Sequence, residues 1–231
     1  QVKAVLGALA TIAVWATAFP CSKIALQHVD SLTLSVARVV GGAMLMLIIG
    51  VARGLHIPTS WREWGLYIVL GMTGNFVYQV VFNQGLMTIP AATSSIIMAL
   101  TPMTTALMAL VVYKDHMRPI GWVFTITAFL GVAIIILWNG SINIPVGAFW
   151  TLLGMVLFAI YNIVNRGLSL KGHDPITVAT WSMFTGAIMS LPFVSQSVAN
   201  IAAAPASTWA AIMYLAFFSS ALGFVFWSYA L

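Results

Sequence analysis

The chain has 231 residues, 61% of them hydrophobic and 6% charged, with a net charge of +5 and a mean hydropathy of +1.03. Soluble domains carry about 25% charged residues, so this composition excludes a water-coated globule. The nine basic residues are scattered along the chain rather than gathered in a patch, which argues against a nucleic-acid partner. One cysteine, Cys21, excludes an intrachain disulfide framework and any CxxC site.

Apolar runs near the length needed to cross about 30 Å of hydrocarbon fall at 4–24, 32–52, 65–86, 91–112, 119–138, 147–166, 176–194 and 209–230. They predict an all-α polytopic membrane protein with eight transmembrane helices. Strands of a β-barrel would be about ten residues of alternating pattern, whereas these runs are solidly apolar. The first run is too long for a signal-peptide core. The breaks HVDS, RGLHIPTSWRE, TIPA, KDHMRP, NGSINIP, SLKGHDP and NIAAAPAS carry turn or charge signals.

Helix 1 places Trp15, Phe19 and Lys23 on one face. Helix 2 contains Arg38, whose insertion into a membrane costs at least ~2.5 kcal/mol. Ser31, Ser35 and Gly42 share its side, so it points toward protein. Two readings stand: an arginine bonded to backbone near the outer interface, or one that, with Lys23, attracts a substrate carboxylate. In helix 3, Asn75, Gln79 and Asn83 recur at i, i+4 and i+8. Such a stripe must face protein or a water-filled cavity. It either glues helices together or lines a site.

Pro102 interrupts helix 4 and frees the carbonyl of Met98, which Thr101, Thr104 or Thr105 can re-satisfy. The kink is a candidate hinge. Ala91, Ser95 and Ala99 form a close-packing seam for a neighbouring helix or for a second copy in a homodimer. Helix 6 carries Phe158, Asn162 and Arg166 at the spacing of Trp15, Phe19 and Lys23, with Tyr78, Tyr161 and Trp181 as further aromatic candidates. On helix 8, Ser220, Phe224 and Ser228 stand opposite the helix 3 stripe.

That opposition comes from a repeat. Trp64–Leu86 and Trp209–Leu231 align at an offset of 145 residues, and the run ending at Lys23 aligns with the run ending at Arg166. Helix 6 thus corresponds to helix 1. The unit is five helices, and an odd number inverts the second copy. Charge orients the bundle. With the N-terminus cytoplasmic, Lys3, Arg53, Arg62, Lys114, Arg118, Arg166 and Lys171 lie inside and Lys23 alone outside, a strong positive-inside bias.

The Trp15…Pro20…Lys23 run, Arg38, AATSSIIMALTPMTTALMALVVYKD of helix 4 and SSALGFVFWSYAL of helix 8 resemble the drug/metabolite transporter superfamily, in its EamA-like ten-helix exporter branch. The resemblance implies two inverted five-helix halves, 1–140 and an incomplete three-helix 141–231, with the last two helices lying beyond Leu231. Helix 4 departs from the branch by ending Tyr113-Lys114-Asp115 where Gly-Glu is usual. The resemblance implies a secondary transporter exporting amino acids or similar small metabolites. Its partners are a small-molecule substrate and membrane lipid, and its location is the plasma membrane, a bacterial inner membrane. The alternatives are an exporter of drug-like organic solutes and a non-transporting or truncated scaffold. Substrate should bind near the bilayer midplane between the halves, at Trp15, Phe19, Lys23, Arg38, Asn75, Tyr78, Gln79, Asn83, Phe158, Tyr161, Asn162 and Trp181. All four acids and all four histidines fall in connections or at helix ends. No proton-relay carboxylate, metal cluster, catalytic dyad or cofactor motif is read, and no enzyme.

Overall fold

The computed structural model describes the backbone of residues 2–137 and 145–230, and the side chains of 5–7, 9–135 and 145–226. Most of the NGSINIP connection, Lys3, Trp227, Ser228 and Leu231 therefore lie outside the described side chains. Helix 1 is Val2–Ala25, helix 2 Ser31–Ala52, helix 3 Trp61–Thr88 and helix 4 Ala91–Val112. Helix 5 is Pro119–Leu137, helix 6 Val146–Leu170, helix 7 Pro175–Ala202 and helix 8 spans 206–230. Among the described residues seven are long and apolar enough to cross a membrane, and the described part of helix 5, Pro119–Ile135, is a shorter apolar stretch. The expected all-α polytopic membrane fold is borne out.

Several ends follow from local chemistry. Asp30 and Asp174 accept the backbone N–H three residues on, at 2.7 and 2.8 Å, and so start helices 2 and 7. Gly54 and Gly172 adopt φ of +80° and +83° and close helices 2 and 6. In each case the next N–H returns to the carbonyl five residues back, Leu55 to Gly50 at 2.9 Å and His173 to Leu168 at 3.2 Å. Helix 7, expected to stop near 194, continues through a single 3₁₀ turn at Leu191–Phe193 to Ala202.

Two helices change their winding. Helix 3 is π-helical over Gly71–Phe76 and helix 8 over Tyr214–Leu222. The offset of 145 residues carries 71–76 onto 216–221, inside the second π segment. Helix 2 lies against helix 7 and the π segment of helix 8, and helix 7 lies against the π segment of helix 3. Around this pair, helix 1 runs along helix 8, and helix 6 runs along the C-terminal part of helix 3.

Helix 4 packs on helix 6. Its buried positions are Ser94, Ile97, Leu100, Thr101 and Ala109, with the Ser94 and Thr151 hydroxyls 3.5 Å apart. The seam expected at Ala91, Ser95 and Ala99 is turned away from that contact, leaving Ala91 and Ser95 half-buried and Ala99 exposed. At Pro102 the chain makes a turn at 99–100, and the Thr101 hydroxyl donates to the freed Met98 carbonyl at 2.6 Å.

Candidate functional site

Helices 1, 3, 6 and 8 build one continuous aromatic assembly. Phe158 of helix 6 stacks on Tyr78 of helix 3 (ring centroids 4.9 Å apart) and on Tyr161 (5.4 Å). Tyr78 also stacks on Phe82 at 5.8 Å, and Phe82 meets Phe19 of helix 1 edge-on at 5.4 Å. Trp15 stands edge-on to Phe158 at 6.2 Å and to Phe224 of helix 8 at 5.7 Å. Such pairs contribute about 0.5–1.5 kcal/mol each beyond burial. The Tyr161 ring fits because Gly74 lacks a side chain: a Cβ there would sit 2.0 Å from Tyr161 Cδ2.

The π segment of helix 8 ties this assembly to Arg38. Trp15 Nε1 donates to the Ser219 carbonyl at 3.1 Å, and Arg38 Nη2 donates to the Ser219 hydroxyl at 3.4 Å. A π turn breaks the i→i−4 ladder, which leaves backbone groups open to side chains, and such turns occur often at functional sites. On its other side Arg38 donates from Nη1 to Ser22 Oγ at 3.3 Å. Arg38 is only 5% exposed. Among the described residues the ion pairs are Arg166–Asp115 and His173–Glu63, so Arg38 has no carboxylate partner there. A buried cation held by two long hydroxyl contacts is under-compensated.

Four buried polar atoms find no hydrogen-bond partner among the described residues: Arg38 Nε, Gln79 Oε1, Asn83 Oδ1 and Ser220 Oγ. Each costs about 1–3 kcal/mol while unsatisfied. They lie on adjoining faces. Asn83 Nδ2 donates to Ser35 Oγ at 2.9 Å, one turn from Arg38 on helix 2. Ser220 Cβ is 3.0 Å from where a Cβ on Gly42 would stand, one turn from Arg38 on the other side. Gln79 is one turn from Asn83 on helix 3, which packs against helix 2. The amide of Asn83 is oriented by the network. The Ser35 hydroxyl spends its proton on the Ser31 carbonyl at 2.6 Å, so it can only accept from Asn83. The open atom of Asn83 is therefore its oxygen.

The remaining expected site residues are engaged elsewhere. The Lys23 ammonium donates to the carbonyls of Leu86 and Ile89, closing the end of helix 3. Asn75 donates to Ser182 Oγ at 3.3 Å, joining helix 3 to helix 7. Trp181 donates to the His56 carbonyl at 2.7 Å and meets Trp64, pinning the connection between helices 2 and 3. Asn162 points to helix 4, donating to Thr105 at 3.4 Å. It lines an open cleft of about 590 Å³ with Pro102, Thr105, Asp115, His116 and Arg166, away from the aromatic assembly. Arg166 closes one wall of the cleft, bonded to Asp115 at 2.6 Å and lying 4.8 Å over the Tyr113 ring. Ser22 and Ser219 were not among the expected site residues. The register that sets Ser219 opposite Gly74 was the available signal for Ser219, and Ser22 had none.

A multi-pass α-helical bundle with a buried cation beside an aromatic wall is consistent with a membrane transport protein. The comparisons agree. The EamA-like transporter family model matches residues 2–137 and 145–231. A probable terminal-alkyne amino-acid exporter of Streptantibioticus cattleyicolor is 29% identical over 99% of this chain and 76% of its own length. The uncharacterized transporter YyaM of Bacillus subtilis is 30% identical over 80% of this chain, which spans 63% of that protein. A protein of known crystal structure, 19% identical, shares the fold with a TM-score of 0.66 over 99% of this chain and 79% of its own. The chain belongs to the EamA-like transporter family, within the drug/metabolite transporter superfamily, as the sequence resemblance implied.

Proposed function

We propose that the protein is a secondary carrier that exports amino acids or similar small metabolites by alternating access between two inverted halves, residues 1–140 and 141–231. One observation carries this reading: the first helix of each half runs along the third helix of the other. Trp15 sits on helix 8 through Ser219, and Phe158 sits on helix 3 through Tyr78. The Arg38 centre then belongs to both halves, and rocking one against the other would expose it to either side in turn. The matching π segments of helices 3 and 8 support the same division. Export of an amino acid is supported by the name of the Streptantibioticus relative. The basic residues on one side support a cytoplasmic N-terminus, and the bacterial relatives support a bacterial inner membrane. A second reading, export of drug-like organic solutes, is favoured by the aromatic wall.

Counterflow in proteoliposomes loaded with a mixture of unlabelled amino acids tests the proposal. Saturable uptake of a labelled amino acid is the expected result. Uptake rising linearly with concentration would indicate a passive pore, and no uptake of amino acids or organic solutes would contradict the carrier reading.

A further inference from the structure

We propose that the polar centre beside the aromatic wall recognises both charges of an α-amino acid zwitterion: Arg38 takes the carboxylate, and the amide oxygens of Gln79 and Asn83 take the ammonium. The proposal rests on the carrier reading above and specifies how its substrate is chosen. The four unpartnered atoms are of two kinds. Arg38 Nε is a donor on an uncompensated cation, and the guanidinium fork matches a carboxylate. Gln79 Oε1 and Asn83 Oδ1 are acceptors facing no donor. Ser220 Oγ can serve either.

A ligand with only an ammonium would satisfy the amide oxygens and meet the positive charge of Arg38. One with only a carboxylate would compensate Arg38 and leave the amide oxygens facing no donor. A zwitterion satisfies both sets and brings no net charge into the membrane. Its two charged groups sit on one carbon, and the two sets adjoin: Asn83 bonds Ser35, which is one turn from Arg38 on helix 2. Ser219 fixes the direction of the side chain. Because the same residue holds Arg38 and Trp15, a ligand anchored at Arg38 lies beside the aromatic wall. The favoured substrate is an amino acid with an apolar side chain.

The test compares L-phenylalanine with phenethylamine, which lacks the carboxylate, and 3-phenylpropionate, which lacks the ammonium. Each competes for labelled L-phenylalanine counterflow by the full-length protein in proteoliposomes. Buried polar groups left unpaired discriminate strongly, so each analogue should compete roughly tenfold or more worse than L-phenylalanine. Arg38→Gln should erase discrimination against phenethylamine and keep that against 3-phenylpropionate. Gln79→Met should do the reverse, and it keeps the test alive should Arg38→Gln fail to reach the membrane. Equal competition by either analogue in the wild type, or unchanged selectivity in both variants, overturns the proposal while the carrier reading stands. Saturable transport of other organic solutes with none of L-phenylalanine also overturns it. Absence of any saturable transport overturns the carrier reading as well.

Discussion

Arg38 and Trp15, on different helices and 23 positions apart in the chain, are held by one residue: the guanidinium bonds the Ser219 hydroxyl and the indole bonds the Ser219 carbonyl. The cation and the aromatic wall are thus a single unit, and they are joined where helix 8 is wound as a π-helix.

Removing the charge of Arg38 while keeping its bulk separates transport from folding. Arg38→Met leaves the Ser22 and Ser219 hydroxyls free to bond the backbone of their own helices, as membrane serines do. Membrane abundance should be unchanged, and L-phenylalanine counterflow should be weakened roughly tenfold or more while remaining measurable. Normal flux in this variant would remove Arg38 from the mechanism.

The Ser219 hydroxyl has a smaller expected effect. Interhelical hydrogen bonds in membranes average about 0.6 kcal/mol, a factor of roughly three in affinity. Ser219→Ala keeps the carbonyl bond to Trp15 and should raise the half-saturating substrate concentration about threefold with little change in maximal rate. An unaltered half-saturation would show that this hydroxyl does not position Arg38.

Gly74 is a packing requirement. A methyl group there overlaps the Tyr161 ring, and overpacking costs about 1–3 kcal/mol. Gly74→Ala should lower the melting temperature of the purified protein, and by less in a Tyr161→Ala background, where the ring it overlaps is gone. Gly65→Ala, where nothing stands within 4 Å, serves as the neutral control. A Gly74→Ala protein as stable as wild type would show that helices 3 and 6 are not held at this distance.

Pro102 tests the hinge. Pro102→Ala returns a backbone N–H to helix 4 and lets the Met98 carbonyl rejoin the helical ladder in place of its Thr101 bond. The expected outcome is wild-type abundance with a reduced transport rate. An unchanged rate would leave Pro102 as a tolerated irregularity.

Much of the fold could be read directly because membrane spans are set by length and hydropathy. The π segments could not, since they depend on which carbonyl each N–H selects and leave no periodic trace in GMTGNF or YLAFFSSAL. The placing of side chains was harder still. Helices apolar all round give little amphipathic signal, so neighbours such as Tyr161 and Asn162, about 100° apart on one helix, are easily grouped together. The structure sends Tyr161 to the aromatic wall and Asn162 to helix 4. Lys23 shows another limit: its bonds are to carbonyls at the end of helix 3, and backbone acceptors are not written in the residue types.

Alternating access requires the Arg38 centre to open in turn to the two sides of the membrane. The sequence contains a single cysteine, so Cys21→Ala gives a clean background for Ser220→Cys, a near-isosteric probe beside Arg38. The measurement is labelling by a membrane-impermeant maleimide in right-side-out and inside-out vesicles. Labelling from both sides is the expected result, slowed in each case by saturating L-phenylalanine. Labelling confined to one side, or absent from both while transport continues, would contradict it.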